Sequence, residues 1–169
     1  MPDDREIEAP ISFGSMFDED PPASPAAFEN VAEEQEVTIA GETMRVRQYC
    51  FHEKNANRVW PGTFNLLEHF LLPSSPGSLP SLLPPAPPFL ELGAATGLLT
   101  LRLAIAGAAG VTCDFDDTGA GEESIESNIG HNFGLNGREP PKHIPHTWGQ
   151  GWPEDAPQFP LVLASDILL

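Results

Sequence analysis

The chain has 169 residues, 40% of them hydrophobic, and its 25 acidic and 8 basic side chains give a formal net charge of −17. That is enough apolar material for one domain with a real core. The few scattered basic residues exclude the clustered positive charge that a phosphate backbone needs, so no nucleic-acid partner is expected. No apolar run approaches the ~20 residues of a membrane span and no basic, apolar leader opens the chain, so no membrane partner is expected either.

Residues 1–35 mix acids, Pro, Ala and Ser with scattered apolar side chains, and the first 36 residues carry 11 acids against the single Arg5. Such a segment cannot bury enough surface to offset its ordering entropy, and a disordered acidic tail is expected over 1–35. From Glu36 to Phe51, Val37 and Ile39, then Met44, Val46 and Gln48, alternate about Ala40-Gly41-Glu42, which predicts a β-hairpin. Trp60-Pro61-Gly62 precedes a helix whose apolar face is Phe64, Leu67 and Leu71, with Thr63 as the expected N-cap. Residues 73–88 hold seven of the 19 prolines and are read as a Pro-rich loop.

After the loop, Phe89 to Leu92 reads as a short buried strand, Gly93-Ala94-Ala95-Thr96-Gly97 as a tight turn, and Leu98 to Ala109 as an apolar helix. Val111 to Asp114 is a second strand. Ile125, Ile129 and Phe133 mark one face of a further helix ended by Gly134 and Asn136-Gly137. His143 to Trp148 and Leu161 to Ala164 supply a third and a fourth strand. Strands alternating with helices argue an α/β fold, a doubly wound parallel sheet of the Rossmann-like kind, preceded by the hairpin.

A glycine-rich turn between a strand and its helix brings backbone N–H groups and a helix N-terminus close to a ligand, and an acid ending the next strand can take ribose hydroxyls. Asp114 stands 17 positions after Gly97 at a strand end. The bare pattern serves a nicotinamide, a flavin or S-adenosylmethionine equally, and a turn that only packs a helix on a sheet looks the same.

Further segments narrow the choice. Glu91 to Leu99 resembles motif I of the seven-β-strand, class I S-adenosylmethionine-dependent methyltransferases, and within them the lysine methyltransferase and nicotinamide N-methyltransferase-like family. Asn57 to Gly62 resembles the tryptophan segment of that family, and Val111 to Asp117 its second strand and acidic tip. Asn128, Asn132 and Asn136-Gly137 resemble its asparagine-spaced helix, and Thr147-Trp148-Gly149 with Trp152-Pro153 its Trp-Gly motif. Two departures stand out. Ala95 replaces the middle glycine of motif I, and Asp166-Ile167-Leu168-Leu169 lacks the aromatic expected three residues after the acid.

The resemblance implies S-adenosyl-L-methionine as cofactor and an in-line attack by an amine on its methyl group. Glu91, Gly93, Ala95 and Gly97 would line the methionine end, Trp60 would cover it, Asp114 would hold the ribose, Trp148 would flank the adenine, and Asp166 would face the target amine. It also implies that residues 36–169 are the N-terminal part of a methyltransferase domain, with strands in the order 3-2-1-4 and three later strands missing. Such a truncated chain is expected to be marginally stable, to associate with itself through the edge of its fourth strand, and to transfer no methyl group.

The favoured acceptor is a basic or lysine-bearing protein, which suits the acidic field. A small-molecule amine is the second reading, and an inactive cofactor-binding fragment or interaction module the third. No metal site is expected: His143 and His146 lack a third ligand, and Cys50 and Cys113 have no ligand spacing. His52 and His69 are read as surface or packing residues. Two cysteines without a framework place the protein in a reducing compartment, cytoplasmic or nuclear.

Overall fold

The structure, a computed structural model, describes residues 30–52, 54–71 and 88–167. The expected tail over 1–29, most of the Pro-rich loop, and Leu168 and Leu169 lie outside the described residues.

The hairpin pairs β1 (Ala32–Ile39) with β2 (Glu42–Tyr49) across a two-residue turn. Ala40 and Gly41 both take positive φ, 49° and 79°, the left-handed pair that matches the twist of the flanking strands. Its start corrects the boundary drawn at Glu36, because Ala32 to Gln35 already pair with Tyr49 to Val46. These four residues are exposed, so they carry no apolar alternation. Ladder hydrogen bonds to β2, rather than burial, hold them in the strand.

Four parallel strands make the main sheet: β3 (Phe89–Leu92), β4 (Gly110–Asp114), β5 (His143–Pro145) and β6 (Val162–Ala164). Their order, β5-β4-β3-β6, is the expected 3-2-1-4 when counted from β3, and the fold is the Rossmann-like α/β arrangement expected. Among the described residues β6 has β3 as its only strand partner.

Among the described residues three α-helices accompany the sheet: α1 (Pro61–Leu71), α2 (Leu98–Ile105) and α3 (Ile125–Leu135). Helix α1 opens on Pro61, whose fixed φ and missing N–H suit a first helical position. Thr63 is therefore inside the first turn, not the N-cap, and its hydroxyl lies 3.0 Å from that of Ser165. Ser124 caps α3 by accepting from Ser127 N. Helix α2 stops four residues before the expected end at Ala109. Gly107, at φ 96°, turns the chain so that its own N–H reaches Ala104 O and that of Ala108 reaches Leu103 O.

The larger core sits between one sheet face, through Phe89 and Leu163, and the helices and hairpin, through Leu67, Leu98, Leu101, Ile129, Phe133, Met44 and Val46. The opposite face, Leu90, Val111, Cys113 and Ile144, is packed by Ala156 and Phe159 from the segment after β5.

The hairpin is tied to α3 by a column of asparagines. Asn132 Oδ1 accepts from Arg47 N at 2.6 Å while its Nδ2 donates to Arg47 O. Asn136 repeats this with Arg45, at 3.0 Å and 2.7 Å. Spacing of four residues sets these amides on one helix face, where they satisfy outward backbone groups of β2 as a neighbouring strand would. Asn128 adds a bond from Arg47 Nε at 2.8 Å.

Candidate functional site

Open parallel sheets bind ligands beyond the C-terminal ends of their strands, where their loops converge. Here the turn from Gly93 to Gly97 is stitched down at that end. Gly93 N and Ala94 N donate to Cys113 O at 2.9 Å and 3.1 Å, and Ala95 N donates to Asp114 Oδ2 at 2.6 Å. From the other side, Asn132 Nδ2 donates to Thr96 O at 3.0 Å. One asparagine thus links the hairpin, α3 and the glycine-rich turn.

Asp114 ends β4 with 8% of its surface exposed. Its Oδ1 accepts from Phe115 N at 2.7 Å, so each carboxylate oxygen already holds one backbone N–H. Burial pushes its pKa up, and these two hydrogen bonds pull it part of the way back. Asp114 lines a cavity of about 490 Å³ with Lys54, Asn55, Phe115, Thr147 and Trp148. That volume lies in the range of small-molecule sites. Trp148 is half exposed and also borders a larger apolar groove with Leu90, Leu92, Trp152 and Val162.

The other expected site residues are distributed around this cavity rather than within it. Glu91 is buried beneath the turn, where its Oε2 accepts from Thr100 N at 3.1 Å and from Thr100 Oγ1 at 2.6 Å. Burial raises its pKa to about 8, with the Thr100 hydrogen bonds opposing and Asp114 adding to the rise. Gly97 caps α2 and faces Ile129, against which a β-carbon would come to 3.0 Å. At Gly93 a β-carbon would meet Ile167 Cγ2 at 2.8 Å and Trp148 Cζ2 at 3.8 Å, so Ile167 fills the space above the turn. Ala95 adopts φ 47°, a left-handed conformation that the glycine expected there takes without strain.

Trp60 stands back from the cavity. Its Nε1 donates to Asn55 O at 2.9 Å and the Arg58 guanidinium lies 4.5 Å over its ring, so it supports a cavity residue. Asp166 follows β6 at φ 53°, and its Oδ2 is buried without a hydrogen-bond partner. Its carboxylate lies against Gly62 at the start of α1. His143 and His146 part company: the first is buried with Nδ1 3.0 Å from Thr112 Oγ1, the second stacks edge-on to Trp152.

Sequence reasoning missed Lys54, Asn55, Phe115 and Thr147. Phe115 was open to discovery as the neighbour of Asp114, and Thr147 as that of Trp148. Lys54 and Asn55 come from an irregular segment whose position over the sheet end has no periodic signal.

A scan against protein-family models finds no match, and a search of the curated proteins finds none.

Proposed function

We propose that this chain is an S-adenosyl-L-methionine-dependent N-methyltransferase domain, with a lysine of a basic protein as the acceptor its charge favours. The observation that carries this reading is the cavity at the ends of β4 and β5, where Asp114 meets a glycine-rich turn and two aromatic side chains. The residues fit the nucleoside half of the cofactor. Each Asp114 oxygen keeps acceptor capacity beyond its one backbone N–H and can take a ribose hydroxyl. Phe115 and Trp148 offer ring faces for a purine. At Gly93 the fit requires Ile167 to swing away.

When bound, the cofactor supplies a methyl group on a sulfonium, already a good leaving group. The protein's part is to hold, orient and desolvate the amine. Asp166 is the acid that the resemblance sets toward the amine; its Oδ2 is buried against Gly62 without a hydrogen-bond partner, so meeting an amine requires the carboxylate to turn away from that contact. Titration calorimetry with S-adenosylhomocysteine tests the reading. Binding that weakens in Asp114→Ala, with no response to a reduced nicotinamide dinucleotide, is the expected result. The absence of any heat with S-adenosylhomocysteine sinks it.

One observation favours a second reading, a domain that binds cofactor but transfers nothing. Ile167 sits over Gly93 where the methionine end of the cofactor is expected. Binding of S-adenosylhomocysteine without label transfer from the methyl donor to a lysine-rich protein would select it.

A further inference from the structure

Two neighbouring residues after β6, Asp166 and Ile167, lie between the glycine-rich turn and the start of α1. Ile167 Cγ2 is 2.8 Å from where a β-carbon on Gly93 would stand, and Trp148 Cζ2 is 3.8 Å from the same point. Trp148 is also a wall of the Asp114 cavity, so Ile167 covers Gly93 at the border of that cavity. Glycine is needed there twice, for its φ of 72° and for the space that Ile167 takes. Ile167 is anchored through the residues before it, since Ser165 Oγ lies 3.0 Å from Thr63 Oγ1 in the first turn of α1. Asp166 works against this anchor. It takes φ 53°, its carboxylate lies against Gly62, and its buried Oδ2 has no hydrogen-bond partner. A left-handed non-glycine residue and a buried oxygen without a donor both cost free energy that turning outward returns.

We infer that Ile167 is the specificity-determining residue of this site. Seated over Gly93, it confines the ligand to its nucleoside half, and the amino-acid half is admitted only when Asp166 and Ile167 turn out together. The inference rests on the proposed cofactor reading for the identity of the ligand. Because the two residues are adjacent, one backbone rotation frees the space above Gly93 and lifts the Asp166 carboxylate from Gly62. Loading of the amino-acid half and release of the acid are therefore a single event. An adenine nucleoside without that half leaves both residues in place. Turning out exposes the half-buried Ile167 side chain to water, a cost that contacts of the amino-acid half must offset.

The test titrates the whole chain with adenosine and with S-adenosylhomocysteine, which share the nucleoside and differ in the amino-acid half. Three forms are compared: wild type, Ile167→Val, which keeps the γ-methyl over Gly93, and Ile167→Ala, which removes it. Wild type and Ile167→Val should bind the two ligands within about threefold of each other, less than one good hydrogen bond is worth. In Ile167→Ala the S-adenosylhomocysteine affinity should rise about tenfold, the scale of no longer exposing a branched apolar side chain, while that for adenosine stays as it was. Proton spectra of the wild type give a readout that needs no variant, and so decide the matter even where Ile167→Ala is unstable. The Ile167 γ-methyl should show an Overhauser contact to the Gly93 α-protons in the free chain and with adenosine, lost with S-adenosylhomocysteine. An affinity rise in Ile167→Ala that both ligands share or neither shows overturns the inference and leaves the cofactor reading in place. So does a methyl contact that persists in the S-adenosylhomocysteine complex. If S-adenosylhomocysteine binds none of the three forms, the cofactor reading falls and the inference with it.

Discussion

The carboxylate of Asp166 lies directly against the α-carbon of Gly62, so close that a β-carbon there would come 2.5 Å from Oδ2 and 2.8 Å from Cγ. This contact couples the end of β6 to the first turn of α1, beside the hydrogen-bonded hydroxyls of Thr63 and Ser165. It leaves the Asp166 oxygen enclosed by backbone rather than by a donor.

Gly62→Ala should therefore destabilise the wild-type chain even though alanine is the better helix former by about 1 kcal/mol. In an Asp166→Gly background the clash is gone and the same substitution should stabilise. Melting temperatures of the four proteins give the coupling directly. A Gly62→Ala effect of one sign and size in both backgrounds would mean that the two residues do not press on each other.

Ala95→Gly should stabilise the fold. The left-handed conformation costs an alanine about 1–2 kcal/mol, part of which the more flexible glycine returns in the unfolded state, leaving a net gain of about 0.5–1 kcal/mol. A urea unfolding midpoint that moves downward would contradict this.

Asp114→Ala should cost about 2 kcal/mol of stability, because Ala95 N and Phe115 N both lose their acceptor. It should also lower S-adenosylhomocysteine affinity about ten- to a hundredfold. Asp116→Ala is the control: that exposed acid accepts only from Thr118 and should change affinity little. Equal effects of the two substitutions on calorimetric affinity would reassign the ribose contact.

Glu91 makes stability depend on pH. Its native pKa is raised from 4.5 to about 8, so across that interval the folded chain keeps a proton that the unfolded chain releases. The stabilising share of this group is full below about pH 4.5 and is lost as pH rises toward about 8. Glu91→Gln keeps an acceptor for Thr100 and carries no such proton. Its advantage over wild type should grow with pH in that window, by at most about 1.4 kcal/mol per pH unit. Parallel stability curves for the two proteins would show that Glu91 titrates normally.

Asn132→Ala should loosen two things at once. The amide is fully buried and serves Arg47 N, Arg47 O and Thr96 O, so each abandoned group costs about 1–3 kcal/mol if water cannot reach it. Asn132→Asp should be at least as damaging, since it sets a carboxylate oxygen against the two carbonyls. Urea midpoints and amide exchange at Arg47 and Ala95 report the two ends; an undisturbed Ala95 amide would mean that the glycine-rich turn does not depend on α3.

Where a residue's surroundings come from its own element, the sequence foretold them. Phe89, Leu90 and Leu92, and Val111 and Cys113, are apolar because a central parallel strand is covered on both faces, and Asp114 follows as an acid at a strand end. The asparagines of α3 were visible as a spacing, but their task was not, since their partners are main-chain atoms of a hairpin some 85 residues away. Ala32 to Gln35 were hidden for the opposite reason: exposed on both sides, they carry no pattern to read. His52 reads as a surface or packing residue in the sequence, because the amides of Lys54 and Ala56 that converge on its Nδ1 belong to an irregular segment with no periodic signal. Ile167 over Gly93 needs the register of β6 before it can be foreseen.

The grip of α3 on the hairpin has an evolutionary reach. Asn132 and Asn136 read peptide groups, which every amino acid but proline presents alike, so β2 can drift at Arg45 without losing its berth. The hairpin's outer face is thereby released from the duty of holding the domain together. Selection can rewrite that face for a new partner while the residues around Asp114 stay where they are.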